Sequence, residues 1–333
     1  MSELTFPGQV EVTRMELHSP STKTMTDIRY IYTGFNIYED IFAPFISGTI
    51  VIQDALGLLN KLPIIGEELL ELEVITPGLE DKPEHKIKGK FYIYKITDRE
   101  KLTNKMVSYT LHFVSIEAII DMNIKLSKGF NGKISDTVLE ILKKYSFFAN
   151  GGTEPTAEQI SRFNIEETDE KYGHAHVSNF WSPVKNINYL TEYAVSKPLE
   201  GKQEGSPTYI FFENRNGLNF ISLESLFFYQ RDKPKRTFKD NDYSRDAYKS
   251  GDTVFSKLDI EKAYDKVITL NILNSFDYVE RSRAGAYSSM LITYDLTTRA
   301  YSEEEYLFED EYDKETRLNK FPPISSKAVH TKD

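Results

Sequence analysis

The stretch that most constrains the fold is residues 46 to 76. Ile46, Ile50 and Ile52 alternate with Ser47, Thr49 and Gln53, and Ala55, Leu58, Leu59 and Leu62 then fall at helical spacing. After Pro63 to Gly66 a period of two resumes, with Leu70, Leu72 and Val74 on one face and Glu71 and Glu73 on the other. A two-residue period marks a strand with one buried and one wet face, whereas apolar residues at i, i+3, i+4 and i+7 mark an amphipathic helix. The segment therefore reads as strand, short helix, turn, strand. Asp54 stands where it can cap the helix, whose leucines are expected to close the open end of the sheet as a lid.

The flanking sequence continues the pattern. Residues 9 to 18 (Val10, Val12) and 28 to 38 (Ile31, Phe35, Ile37) read as strands on either side of a Ser19-Pro20-Ser21-Thr22 loop. Ile87, Phe91 and Ile93, then Val107, Tyr109, Leu111 and Phe113, supply two more, giving about six strands before residue 120, enough for a small barrel or sandwich. If the strands carrying Glu71 and Glu73 and carrying Lys86, Lys88 and Lys90 pair antiparallel, their charges meet across the sheet.

Beyond residue 120 the period changes. Ser135 or Asp136 is placed to cap a helix striped by Val138, Ile141 and Leu142, which ends near Tyr145, and residues 149 to 172 read as a long polar loop. Ser182-Pro183 starts a second helix through Val184, Ile187, Leu190 and Ala194. Beside its start stands the single tryptophan, Trp181, next to Phe180. Residues 209 to 213 and 218 to 223 flank Asn214-Arg215-Asn216-Gly217, a hairpin whose Asn-Gly pair suits positive φ. Ile268, Leu270 and Ile272 mark a strand, a helical turn follows from Ser275, and residues 286 to 296 and 298 to 308 form a further strand pair. Lys320 to Asp333 reads as a tail.

Composition narrows the classes. A chain of 333 residues exceeds what one core usually serves, so two or three domains are expected, and 21 Tyr and 21 Phe bias it toward sheet. Without cysteine there is no disulfide framework and no thiolate metal site. The first ten residues lack the basic and apolar regions of a secretory signal, and no run approaches the about 18 apolar residues of a membrane span, so no membrane insertion is expected. A formal charge of −10 argues against a nucleic-acid reader, since duplex affinity depends on cations that neutralise phosphates.

The catalytic signatures are missing. HExxH, GxSxG, P-loop and GxGxxG motifs do not occur, and cysteine catalysis is excluded. His174-Ala175-His176 is the one close histidine pair, weighed as a metal site and set below a plain surface loop. Asp240, Asp242 and Ser244 approach a calcium loop, but Arg245 replaces its glycine and Gly251 its closing glutamate, so calcium is rejected. No catalytic residue, cofactor or metal is assigned. Trp181 reads as an anchor between helix and sheet or as an interface hot spot. Arg281, Arg283 and Tyr287 flank Ala284-Gly285-Ala286, a turn that either reverses the chain or lets another backbone approach closely.

Three segments, in order along the chain, resemble the central baseplate hub proteins of contractile-tailed bacteriophages, the group that includes the T-even phages. They are Ile52 to Leu59 continuing to Pro63 to Glu68, Asn179 to Leu190, and Arg281 to Ser288. The resemblance implies an α+β, mainly β fold of tube-type β-barrel domains with an inserted α/β domain. Residues 1–120 would be the first barrel, 121–255 the α/β decoration, and 256–333 a partial second tube-like domain with a C-terminal tail. Family members continue with further strands after the region matching Arg283 to Phe308, so here another chain completes the second barrel, the barrel is smaller, or the sequence is a shortened form.

The resemblance further implies a non-enzymatic homotrimer in the virion, assembled in the host cytoplasm. It would join tail tube proteins to a central spike protein, contact other baseplate (wedge) proteins, and let DNA pass without specific binding. The expected interface residues are Trp181, Tyr189, Arg281, Arg283, Tyr287, Leu58 and Leu59. Two alternatives stand beside it: the hub of a contractile injection or secretion system, and a carbohydrate-active tail-associated β-protein.

Overall fold

The computed structural model describes residues 9–55, 57–61, 64, 66–78, 86–103, 106–145, 157–198, 203–229, 277–311 and 314. The strand expected at 268–272, the 240–251 loop and the tail lie outside these residues, as does Leu62 of the lid.

The first part of the chain is one antiparallel sheet. Its strands are β1 (Glu11–His18), β2 (Met25–Asp27), β3 (Tyr32–Tyr38), β4 (Ser47–Asp54), β5 (Leu69–Ile75), β6 (Lys86–Thr103) and β7 (Met106–Ser115). They lie in the order β2-β1-β5-β6-β7-β4-β3. The alternation read in the sequence is the alternation of burial: Ile50 and Ile52 of β4, Leu70 and Leu72 of β5, and Tyr109, Leu111 and Phe113 of β7 all point into one core with Met15, Leu17, Ile28 and Ile93. The helix α1 (Leu58–Lys61) covers the end of this core as expected. Leu58 is buried, Leu59 packs against the core, and Asp54 Oδ2 accepts from the Leu59 N–H at 3.4 Å.

The register of β5 on β6 sets Glu71 opposite Lys90 and Glu73 opposite Lys88, so the expected charge ladder forms. Lys90 Nζ lies 2.8 Å from Glu71, and Lys86 rather than Lys88 reaches Glu73, at 2.5 Å. Three register shifts between β6 and β7, near Ile93/Lys95, Thr97/Glu100 and Lys101/Thr103, bend this long hairpin.

The sheet curls so that its two edges come to one stretch of chain. β2 pairs with β1 and β3 with β4, yet only Ile28 to Ile31 separate them. Within that stretch the Ile28 N–H donates to Met15 O on one side, and Ile31 O accepts from the Gln53 N–H on the other, at 2.9 and 2.8 Å. Arg29 pins the corner by donating to both Asp27 carboxylate oxygens and, through Nη1, to Thr13 O.

A second core follows. Helix α2 (Ile116–Asn123) follows β7 directly, at a place where the periodicity marks no helix. Then come β8 (Gly129–Phe130), α3 (Ile134–Tyr145), α4 (Ala157–Ile160), β9 (Phe163–Ile165), β10 (His176–Val177), α5 (Pro183–Thr191), β11 (Tyr209–Asn214), β12 (Gly217–Ser222) and α6 (Leu223–Tyr229). Val138, Ile141 and Leu142 of α3 and Val184, Ile187 and Leu190 of α5 pack with Tyr209, Phe211, Leu218 and Phe220 of the β11-β12-β9 sheet.

Three expectations are corrected here. α3 starts at Ile134, so Ser135 and Asp136 lie in its first turn instead of capping it. Residues 149 to 172 are not all loop: within them α4 forms, and β9 pairs parallel with β12. The hairpin loop is Arg215-Asn216 alone, because Asn214 pairs with Gly217; the expected positive φ falls on Gly217 (φ +140°), where a Cβ would sit 2.0 Å from Arg162 O.

The last described elements are α7 (Tyr278–Arg283), the hairpin β13 (Ser288–Asp295) with β14 (Ala300–Leu307), and α8 (Phe308–Glu311). Asp277 caps α7 by accepting the Glu280 N–H at 2.9 Å.

Candidate functional site

Trp181 and Tyr189 are brought together, with ring centroids 5.5 Å apart. Ser182 caps α5 by accepting the Lys185 N–H, and Pro183 occupies the first helical position. Asp121 of α2 reinforces this helix start, its Oδ1 accepting the Val184 N–H at 2.8 Å, while burial pushes its carboxyl up from the ordinary range. The Leu126 N–H donates to Trp181 O at 2.8 Å, which fixes the backbone on which the indole sits.

Around this pair the fold adds further side chains, among them the two histidines expected in a surface loop. β10 pairs with β8 through His176 opposite Phe130, and the two rings lie nearly parallel. His176 is buried, 5.5 Å from Trp181 and 4.8 Å from Tyr189. Its Nε2 lies 2.8 Å from Asn186 Oδ1, and the Asn186 Nδ2 donates to Ser182 O, which orients that amide. His174 stacks on Tyr193 at 4.2 Å, and Tyr193 in turn contacts Tyr189. The two histidines considered as a metal pair therefore both pack against Tyr189, His174 at 5.9 Å and His176 at 4.8 Å, and each stacks on a further ring of its own. Lys185 Nζ lies 4.7 Å from the Trp181 centroid, a cation–π contact.

The result is an aromatic corner on the second core, with Phe180, Val177 and Tyr193 at its exposed rim. Phe180 is 71% exposed and has φ +59°, in the left-handed region that a bulky residue occupies only at a cost. A strained and solvated Phe gives the corner an outward-pointing apolar side chain. One signal for the corner was available in the sequence: residues 181, 185, 189 and 193 are each four apart, the spacing of helical neighbours.

The other sequence-derived candidates lie on separate elements. Arg281 and Arg283 are exposed on α7; Gly285 (φ +77°) turns the chain, and Tyr287 meets Phe308 edge-on at 6.3 Å. Leu58 is 5% exposed and belongs to the first core.

Glu16, His18 and Glu71 group their potential ligand atoms within 4.8 Å. This set fits a cation poorly. Arg14 lies 2.6 Å from both carboxylates and Lys90 2.8 Å from Glu71, so two fixed positive charges already balance the two negative ones.

Fold and site define a mainly β protein: a curled antiparallel sheet joined to an α/β core that carries an exposed aromatic corner. No protein-family model matches the chain, and no curated protein does. Among solved structures it is similar to the tail protein from Neisseria meningitidis MC58, at 10% identity and a TM-score of 0.36 over 62% of this chain and 49% of that one. It is similar also to the 43 kDa tail protein of prophage MuSo2 from Shewanella oneidensis, at 8% identity and a TM-score of 0.37 over 62% and 52%. A chain of the lidded Francisella PdpA-VgrG complex matches at 10% identity and a TM-score of 0.32 over 66% and 29%. The chain thus spans about half the length of the two tail proteins. Among the described residues no helix is long and apolar enough to cross a membrane.

Proposed function

We propose that this chain is a structural hub protein of a contractile phage tail baseplate, a homotrimer joining the tail tube to the central spike. The observation that carries the reading is the curled sheet of the first core. Its two edge strands, β2 and β3, are joined through the turn at residues 28–31, and the end of β4 and the lid helix fall in the hub-like segment that begins at Ile52. A sheet curled in this way supports the reading of a barrel-type subunit packed side by side with copies of itself in a ring. The second hub-like segment, Asn179 to Leu190, forms the aromatic corner, which supports a role for Trp181 and Tyr189 in contacting a neighbour.

On this reading the protein has no enzymatic task, and passing DNA meets an acidic chain that does not retain it. The test is co-assembly: purified chain mixed with tail tube and spike proteins is expected to form a three-way complex seen by sedimentation and electron microscopy. Binding only the tube of an injection machine would favour the related secretion hub. Turnover of cell-surface glycans would favour the carbohydrate-active alternative.

A further inference from the structure

The two cores meet at a cluster of buried ionisable groups that the hub reading does not use. The chain crosses between the cores at adjacent residues: Phe45 packs against the second core and Ile46 belongs to the first. At that crossing the Ile46 N–H donates to Glu213 Oε2 of β11 at 3.1 Å, while Ile46 O accepts from the Ser115 N–H at 2.9 Å. Glu213 thus extends the β4-β7 ladder into the second core. Glu213 is 4% exposed, and Glu117 from α2, whose charge acts on it, is 8% exposed. The charged groups acting on Glu213 are Glu117, which opposes its ionisation, and Arg162 just before β9, which favours it. Arg162 favours the ionised form of Glu117 as well.

Two buried carboxyls that share the influence of one guanidinium hold one negative charge comfortably and two at a cost, because burial penalises each charge and the pair repel. We propose that Glu117 and Glu213 form a proton-operated latch between the two cores, closed while the pair retains one proton and loosened when both carboxyls ionise. The junction is the natural place for such a device, since the Glu213 to Ile46 bond spans it and a change there alters how the α/β part is held against the sheet.

The sign follows from the direction of the shifts. Burial first, and the Glu117 charge second, push the Glu213 carboxyl up to about 7, above its ordinary 4.5, and burial pushes Glu117 up as well. The closed junction then binds more protons than the open one between these values, so closure is favoured at the acid end of the window, weakens as pH rises through it, and levels off above it.

Hydrogen–deuterium exchange of the full chain tests this. The Ile46 amide, corrected for the intrinsic effect of pH, is expected to lose protection by up to about tenfold per pH unit from pH 5 to 7 and then to level. Glu213→Gln, which keeps an acceptor without a charge, is expected to remove the slope near pH 7 and leave only the shallower one of buried Glu117 at lower pH. Glu39→Gln is expected to preserve it, although Glu39 also bridges to the hairpin by accepting the Arg215 N–H at 2.7 Å. Should Glu213→Gln not fold, Glu117→Gln is expected to end the slope at a lower pH. Flat protection in the wild type, or an unchanged slope in a folded Glu213→Gln or Glu117→Gln protein, would overturn the latch.

Discussion

The ring of Phe113 lies over the backbone of Gly48, so that a Cβ on that glycine would stand 2.1 Å from Phe113 Cζ and 2.3 Å from Asn36 O. Phe113 is fully buried and packs on Phe91 at 4.9 Å, so its ring cannot withdraw without disturbing the core. Gly48→Ala is therefore expected to destabilise the first core by about 1–3 kcal/mol or more through overpacking. Urea unfolding followed by circular dichroism measures this; an unchanged midpoint would show that the sheet yields there.

Leu58 separates lid from interface. Buried at 5% exposure, it is expected to cost about 2–5 kcal/mol as Leu58→Ala, whereas Arg283→Ala on the exposed α7 is expected to stay within about 0.5 kcal/mol. Thermal unfolding of both variants checks the contrast. Equal small effects would count against the lid and favour the interface role that the resemblance implies for Leu58.

Phe180 offers the reverse test. Replacing it by glycine relieves the φ +59° strain, worth about 1–2 kcal/mol, against about 0.5–1 kcal/mol of added chain entropy. Phe180→Gly should leave the isolated chain as stable as before or slightly more so, while weakening its assembly. A loss of stability above about 1 kcal/mol would mean that the exposed ring packs within the chain after all.

Glu71 predicts an acid limb. Its carboxyl is held below the ordinary 4.5 mainly by the Lys90 hydrogen bond, with further help from the charges of Lys90, Arg14 and His18. The stability it contributes is complete above pH 4.5 and is lost as pH falls through the lowered value. Glu71→Gln should flatten the stability profile below pH 4.5 and leave the Glu213 window, which has the opposite sign, in place. Urea midpoints at closely spaced pH values between 3 and 8 would read both limbs.

How much of this was legible in the sequence depended on length and periodicity. β4, α1 and β5 could be read because Ile50, Ile52, Leu58, Leu70 and Leu72 each keep their period for a full element. β9 could not, since Phe163 to Ile165 is three residues beside acidic neighbours and becomes a strand only by pairing with β12, more than fifty positions later. α2 was hidden because it starts one residue after β7 ends, leaving no loop to mark the change. Trp181 and Tyr189 fall in one hub-like segment, with Tyr193 at the same four-residue spacing; His174 and His176 joined them only once β8 and β10 paired. Glu117 and Glu213 were two among 51 acidic residues until folding set both at one junction.

The hub account rests on this chain closing a ring with copies of itself, and the mass of the purified particle in solution tests that most directly. The account predicts a species of three times the 38.5 kDa of one chain, persisting on dilution and joining tail tube and spike proteins when they are added. A particle that remains at the mass of a single chain at every concentration, with and without those proteins, would contradict it.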